Sequence, residues 1–204
     1  MTDVSKLTLS AEELQLVTNT GWILTKRKII DKVNCLFGHL AEVFKKHTGT
    51  HEKLLPKAII QSVPKIAKGE NYLQLPYVLL DYPRCFDKEN IFAIRTMFWW
   101  GNFFSITLHL SGSYKTIFEK ALQKNIQVLH HNNFYICINN NEWQHHFEAD
   151  NYTLLKTLDA GEIANITAQQ HFIKVAVKFS LQQWNKMPEL MEKSFLDLLQ
   201  LIKN

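Results

Sequence analysis

The sequence predicts an α+β fold in which a mostly antiparallel sheet of five or six strands packs against N-terminal and C-terminal helices. Residues 91–110 are rich in β-branched and aromatic side chains and carry Gly101-Asn102 at their midpoint, which is typical of a β-hairpin. Residues 172–181 alternate between apolar and polar side chains, as a strand does. Apolar residues three and four positions apart near both ends of the chain indicate helices.

The length and composition suit one α+β domain. The chain has 204 residues, of which 46% are hydrophobic and 21% are charged, so it can bury a sizeable core. We expect this domain to span residues 1–204, with an N-terminal helical part at 1–50, a sheet-forming part at 71–182 and a C-terminal helix at 188–203. No repeat, low-complexity tract or Gly/Ser-rich linker divides the sequence.

Two helices are predicted near the N-terminus. Ser10 and Glu13 match a capping box, in which each side chain binds a free backbone N–H of the other residue at the start of a helix. The first helix should end near Thr18. A longer helix should run from about residue 25 to 47, with its apolar residues on one stripe, and a short helix is expected within residues 54–63.

The central hairpin determines which side chains share a surface. With Gly101-Asn102 as a two-residue turn, Trp100 would pair with Phe103, and the pairing of all other residues would follow from this one. Arg95 would then lie on an apolar face of the sheet and His109 on the opposite, mixed face. A helix over residues 87–101 is the alternative, because several of the same apolar residues also fit one helical face.

The remaining segments predict shorter strands and turns. Residues 77–80 should form a short strand after a turn at 68–71, and Tyr82-Pro83, in the irregular turn that follows, is a candidate cis bond. A second hairpin is expected over residues 134–148, with Asn140-Asn141 as its turn.

The C-terminal third should end in a strand and a helix. Residues 172–181 should form a half-buried strand with Lys174 and Lys178 on its polar side. Residues 159–170 are polar and should form a loop with a turn of helix. Pro188 should start the last helix, because proline is favoured in the first turn.

Charge, cysteine content and hydropathy exclude several classes of protein. The net charge is +4, and the whole excess lies in residues 1–70, where 11 Lys and Arg stand against 7 Asp and Glu. This excess is too weak to predict a nucleic-acid partner. Cys35, Cys85 and Cys137 form no metal or redox motif, and no apolar run suggests a signal peptide or a membrane span. We therefore expect a cytoplasmic protein without a membrane partner.

Arg95 is the most informative polar residue, because it lies on an otherwise apolar strand face. Its guanidinium must pair with a buried acid, for which Asp81 is the candidate, or meet an anionic ligand. In the second interpretation Arg84, His109 and Tyr72 line the same pocket and help to bind a carboxylate or phosphate. Catalytic residues stay unassigned, because the sequence contains no nucleophile or phosphate-binding motif.

No cofactor or metal is expected. His145 and His146 are adjacent, so on a strand they would point to opposite faces and could not bind one ion together. A metal site would require one of them to meet a distant ligand such as His109.

Three functions are compatible with these patterns. The leading hypothesis is binding of a small anionic or polar ligand beside the central hairpin. The second is a protein-interaction or self-assembly module that uses the aromatic hairpin tip, residues 99–104, or the basic N-terminal helices. The third is an enzyme that uses His109 or His145 as a general base or a metal ligand.

Overall fold

The structure, a computed structural model, describes residues 7–52 and 55–203. The chain divides into two compact units, one reaching to Leu36 and the other beginning at Phe37. The single domain expected over residues 1–204 stays a prediction. In chain order the elements are α1 (Ala11–Thr18), α2 (Thr20–Gly49), α3 (Lys57–Ile60), β1 (Lys65–Tyr72), β2 (Leu75–Phe86), β3 (Ile91–Trp99), β4 (Phe103–Ser111), α4 (Gly112–Asn125), β5 (Tyr135–Cys137), β6 (Tyr152–Leu154), α5 (Ala160–Gln169), β7 (Phe172–Ser180) and α6 (Met187–Leu201).

The first unit contains α1 and the first turns of α2. The predicted capping box is confirmed: the Ser10 hydroxyl accepts the N–H of Glu13, and the Glu13 carboxylate accepts the N–H of Ser10. α1 ends at Thr18, as predicted. α2 begins at Thr20, earlier than predicted, because the Asn19 side chain accepts a backbone N–H of its first turn and caps it.

The second unit contains an antiparallel sheet of seven strands rather than five or six, in the order β1-β2-β3-β4-β7-β5-β6. β1 is not predicted from the sequence, which predicts a turn at residues 68–71 instead. In the structure they belong to β1, and the chain reverses at Leu73 and Gln74, which have positive φ. Gly69 is needed within this strand because a Cβ there would overlap the ring of Tyr77 on β2.

β2 is longer than the predicted strand at residues 77–80. It continues through the predicted irregular turn with a shift of register between Asp81 and Arg84, and the Tyr82-Pro83 bond is cis. Asp81 lies before this shift and is therefore directly opposite Arg95 on β3.

The central hairpin is confirmed and the helical alternative is excluded, but the register differs by one residue from the prediction. Trp99 pairs with Phe103, so the turn has three residues, and Gly101 is the one with positive φ. The shift places His109 on the face that carries Arg95. The prediction that these two side chains lie on opposite faces is therefore wrong.

One face of the sheet is covered by helices. α4 and α6 contact the central strands, and the part of α2 that belongs to the second unit packs on α6, where Phe44 stacks on Phe195 with ring centroids 4.0 Å apart. At the hairpin end of the same face, the Trp184 ring meets Phe98 and Phe104 edge-on. This face forms the main apolar core of the unit.

Three of the four aromatic side chains of the hairpin tip, Trp99, Phe103 and Phe104, are buried, and Trp100 is partly buried. Trp99 and Phe103 pack edge to face on one side of the sheet, while Phe104 faces the helices. Within the tip, Gly101 and Asn102 are exposed. The interaction module that uses this tip stays a prediction.

The second face of the sheet is covered by a loop. β7 forms as predicted, but Lys174, expected on a solvent-facing side, is only 1% exposed. The second hairpin predicted over residues 134–148 is wrong, because β5 pairs with β6 and residues 138–151 connect them without forming a strand. These residues lie over the face that carries Arg95 and Lys174 beside a cluster of buried apolar side chains, and we call them the roof loop.

Two further helices complete the second unit. Residues 159–170, expected to be mostly loop, form α5, whose start is stabilised by a capping box between Asp159 and Glu162. α6 carries Pro188 in its first turn, as predicted. None of the helices within residues 7–52 and 55–203 combines the length and the apolar character needed to cross a bilayer.

Candidate functional site

The conformation of the roof loop is set by its own asparagines. The Asn139 side chain accepts the N–H of Asn141 at 2.8 Å, and the Asn141 side chain accepts the N–H of Trp143 at 3.0 Å. These local bonds replace the ladder of a hairpin, which explains why the segment is a loop. At the other end of the loop, the buried Asn151 side chain donates to the carbonyl of His146.

Beneath the roof loop, Arg95 and Asp81 form an ion pair with two hydrogen bonds. Arg95 Nε donates to Asp81 Oδ1 at 2.7 Å, and Nη2 donates to Oδ2 at 2.9 Å. The side chains are 14% and 10% exposed. The Asp81 carboxylate therefore neutralises the charge of Arg95, which is the pairing with a buried acid that the sequence suggests.

The third nitrogen of this guanidinium, Nη1, contacts His145. Arg95 Nη1 lies 3.3 Å from His145 Nε2, and because arginine can only donate, Nε2 is the unprotonated nitrogen of the ring. Burial holds the pKa of His145 well below its usual value, and the positive charges of Lys174 and Arg95 act in the same direction. His145 is therefore neutral near pH 7.

His109 and Glu142 form the second hydrogen-bonded pair of the site. His109 Nε2 lies 2.9 Å from Glu142 Oε2. Burial lowers the pKa of the His109 ring, and the hydrogen bond from His109 lowers the pKa of Glu142. A neutral imidazole thus donates to an ionised carboxylate. The ring is buried, whereas the Glu142 side chain is 28% exposed.

Lys174 binds the roof loop from the sheet. Its ammonium donates to the backbone carbonyls of Glu142 and Gln144, and it forms no ion pair with any residue that the structure describes. Burial lowers the pKa of Lys174 to about 8. Together with Arg95, Asp81, His109, Glu142 and His145, this lysine forms what we call the central polar cluster.

Tyr72 anchors the roof loop at the edge of the sheet. Its hydroxyl accepts the backbone N–H groups of His145 and His146, at 2.6 and 3.0 Å. Its ring lies edge-on to Trp99, with centroids 5.1 Å apart. Burial raises the pKa of Tyr72, so the hydroxyl stays protonated near neutral pH.

Four of the five candidate residues lie on the face beneath the roof loop: Arg95, Asp81, His109 and Tyr72. Arg84 lies elsewhere, because it follows the shift of register in β2. Its Nε donates to the carbonyl of Val63 at 3.1 Å, and its backbone N–H donates to the hydroxyl of Ser62.

The sequence pattern does not single out Lys174 and Glu142 as site residues. Lys174 is directly opposite His109 in the β4–β7 pair, and this alignment is the signal that could have identified it. Using that signal requires the pairing of strands that are distant in the sequence. Glu142 lies among asparagines, which predict a turn and say nothing about the surface that the turn covers.

A pocket of about 450 Å³ opens beside the central polar cluster, at the open end of the hairpin. Its walls include Lys88 and Glu89 before β3, Asn140 and Glu142 of the roof loop, and His171 before β7. A second pocket of about 320 Å³ shares Asn140 and His171 with it. Glu142 thus connects the buried cluster with an accessible space.

A separate cavity of about 330 Å³ lies between β7 and α6. Lys193, Ser194 and Asp197 contribute to its walls, and burial raises the pKa of Asp197. None of the residues that line this cavity belongs to the central polar cluster. We therefore assign the candidate site to the pocket beside Glu142.

The arrangement is suited to holding polar groups by hydrogen bonds and charge. Among the described residues, no three His, Cys, Asp or Glu side chains converge closely enough to hold a metal ion. His146, one of the histidines considered as a ligand, has its Nε2 3.3 Å from the carboxylate of Asp150. In comparisons with known proteins, no family model, curated protein or solved structure matches this chain.

Proposed function

We propose that the chain binds a small zwitterionic ligand, of the size of an amino acid, in the pocket beside Glu142. The Glu142 carboxylate supports this proposal most directly, because it lines the pocket and is partly exposed. The hydrogen bond from His109 to Oε2 holds this carboxylate in place and keeps it ionised. Its Oε1 can then accept a hydrogen bond from a ligand ammonium group.

The charges around the pocket match a ligand that carries both signs. Glu89 and Glu142 attract an ammonium group, and Lys88 attracts a carboxylate. A volume of about 450 Å³ is at the lower end of the range of small-molecule sites. Since Asp81 neutralises Arg95, we place the ligand in this pocket and not against the guanidinium.

Thermal shift followed by calorimetric titration tests the proposal. The probes are a set of amino acids, together with a polyamine, a dicarboxylate and inorganic phosphate. We expect at least one amino acid to raise the melting temperature. The polyamine and the two anions should have smaller effects, because each satisfies only one sign of charge.

The decisive variant is Glu142→Gln, which removes the charge and keeps the shape of the side chain. We expect it to weaken binding of that amino acid by more than about tenfold, which corresponds to about 1.4 kcal/mol. Glu148→Gln is the matched control, because Glu148 is an exposed carboxylate of the same loop. Equal affinities in both variants, or no effect of any amino acid on the wild type, would refute the proposal.

The enzyme hypothesis stays a prediction. His109 and His145 each have Nε2 in a hydrogen bond to a protein group, and no observation favours proton transfer to a substrate over this binding role. The cytoplasmic location likewise stays a prediction.

A further inference from the structure

The first unit exposes eight large apolar side chains. Large apolar side chains between residues 7 and 24 are 45–72% exposed. They are Leu7, Leu9, Leu14, Leu16, Val17, Trp22, Ile23 and Leu24. Single exposed apolar residues are ordinary, but a set as large as this one is typical of an interaction site.

α1 has no packing of its own to stabilise it. It has 8 residues, and none of them is buried. Isolated helices shorter than about 12–15 residues are marginal in water, so a capping box alone gives α1 little stability. A partner that covers Leu14 and Val17 would supply the missing burial.

Two groups of charged residues with opposite sign, which we call patches, lie close in sequence to the exposed apolar side chains. Glu12 and Glu13 lie in the first turn of α1, and residues 7–19 contain no Lys or Arg. Lys26, Arg27 and Lys28 follow on α2. The exposed apolar side chains lie between and beside these two patches in the sequence.

We propose that this surface is the interface between two copies of the chain, with α1 of one copy against the beginning of α2 of the other. In a two-fold interface, contacts are reciprocal, so the acidic turn of each copy meets the basic turn of its partner. Half-exposed side chains of this number and size offer several hundred Å², which is the scale of the ~800 Å² that each partner buries in a standard interface.

An anionic membrane surface fits the same unit less well. The basic turn with Trp22 would suit it, and the Lys26 ammonium lies 5.9 Å from the centre of the Trp22 ring. Glu12 and Glu13, however, precede the exposed Leu14, and anionic head groups would repel them. A second copy satisfies both patches. The proposal is independent of the ligand pocket, whose residues all belong to the second unit.

Analytical ultracentrifugation of the full chain tests this interface. We expect the wild type to sediment as a dimer in reversible equilibrium with monomer. Val17→Glu combined with Trp22→Glu should weaken the dimer more than about tenfold. Ile117→Glu combined with Val128→Glu is the matched control, because these side chains are 53% and 60% exposed in the second unit. Circular dichroism checks that both variants stay folded, and any loss of helix in the Val17/Trp22 variant should not exceed the 8 residues of α1.

Cross-linking of the wild type tests the charge pairing without any substitution. A carbodiimide that joins carboxylates to amines directly is applied to a mixture of unlabelled and isotope-labelled chains. We expect mixed-label peptides that join Glu12 or Glu13 to Lys26 or Lys28. A monomeric wild type, a dimer that survives the Val17/Trp22 change, or a monomer that binds phosphatidylserine vesicles would overturn the proposal.

Discussion

The guanidinium of Arg95 and the carboxylate of Asp81 are joined by two hydrogen bonds, of 2.7 and 2.9 Å, between neighbouring strands beneath the roof loop. Each charge is largely buried, so each depends on the other for its stability. His145 takes a third contact from the same guanidinium. The ion pair therefore couples the sheet to the loop that borders the pocket.

Replacing Arg95 with Met should lower the free energy of unfolding by about 3–5 kcal/mol, because it leaves the Asp81 carboxylate buried without a partner. The double variant Arg95→Met with Asp81→Leu should recover most of this loss, since it buries no charge. Urea unfolding followed by circular dichroism measures both values. Arg84→Met is the control, with an expected loss of about 1 kcal/mol for its bond to a carbonyl. A double variant as unstable as the single one would contradict this account.

The free energy of unfolding should fall as the pH decreases below about 6.5. Burial lowers the pKa values of His109 and His145, so the folded chain keeps both rings neutral while the unfolded chain takes up protons. The nearby charges of Lys174 and Arg95 act in the same direction on both rings, while Glu142 partly opposes the shift of His109. A second loss should follow below the ordinary carboxyl range, because the pKa of Glu142 is also lowered.

Urea unfolding at about pH 7 and about pH 5.5 measures this first loss. The variant His109→Gln with His145→Gln should show a smaller difference between the two conditions. His39→Gln, in which an exposed histidine of α2 is replaced, should behave as the wild type. An unchanged pH dependence in the double variant would show that other groups cause the loss.

The elements that the sequence predicts best are those with local causes. The capping box of Ser10 and Glu13 and the reversal at Gly101 need only neighbouring residues, and both are present. The register of the hairpin is harder to predict, because two-residue and three-residue turns are both compatible with the Gly101-Asn102 pair. That difference of one residue decides whether His109 and Arg95 share a face.

The site itself depends on long-range packing. Alternation in β7 identifies a polar side at Lys174, but it cannot tell whether water or another segment covers that side. Asn140-Asn141 predicts a turn equally well for a hairpin and for a loop. Only the tertiary structure shows that the loop covers the sheet. Because the loop lies over the sheet, Glu142 forms its hydrogen bond with His109.

Replacing Gly112 with Ala should lower the free energy of unfolding by about 1–3 kcal/mol. Gly112 has a φ of +56°, and a Cβ there would overlap the carbonyl of Glu89 at the wall of the pocket. Gly38→Ala provides the opposite case, because the new methyl group in α2 would meet no atom within 4 Å. It should stabilise the chain by about 0.5–1 kcal/mol through helix propensity. Thermal unfolding of both variants measures the two changes, and a loss in Gly38→Ala or no loss in Gly112→Ala would contradict them.

Replacing Lys174 with Met should loosen the roof loop while the sheet stays folded. The ammonium of Lys174 is bound to the carbonyls of Glu142 and Gln144, and a thioether side chain of similar length leaves both carbonyls without this donor. Amide hydrogen exchange within residues 138–151 should become at least about tenfold faster, which corresponds to about 1.4 kcal/mol of lost protection. Exchange in β3 and β4 should hardly change. Lys68→Met, on the exposed edge strand β1, should alter neither region. If roof-loop exchange in Lys174→Met equals that of the wild type, the loop is held by Tyr72 and Asn151 without help from the lysine.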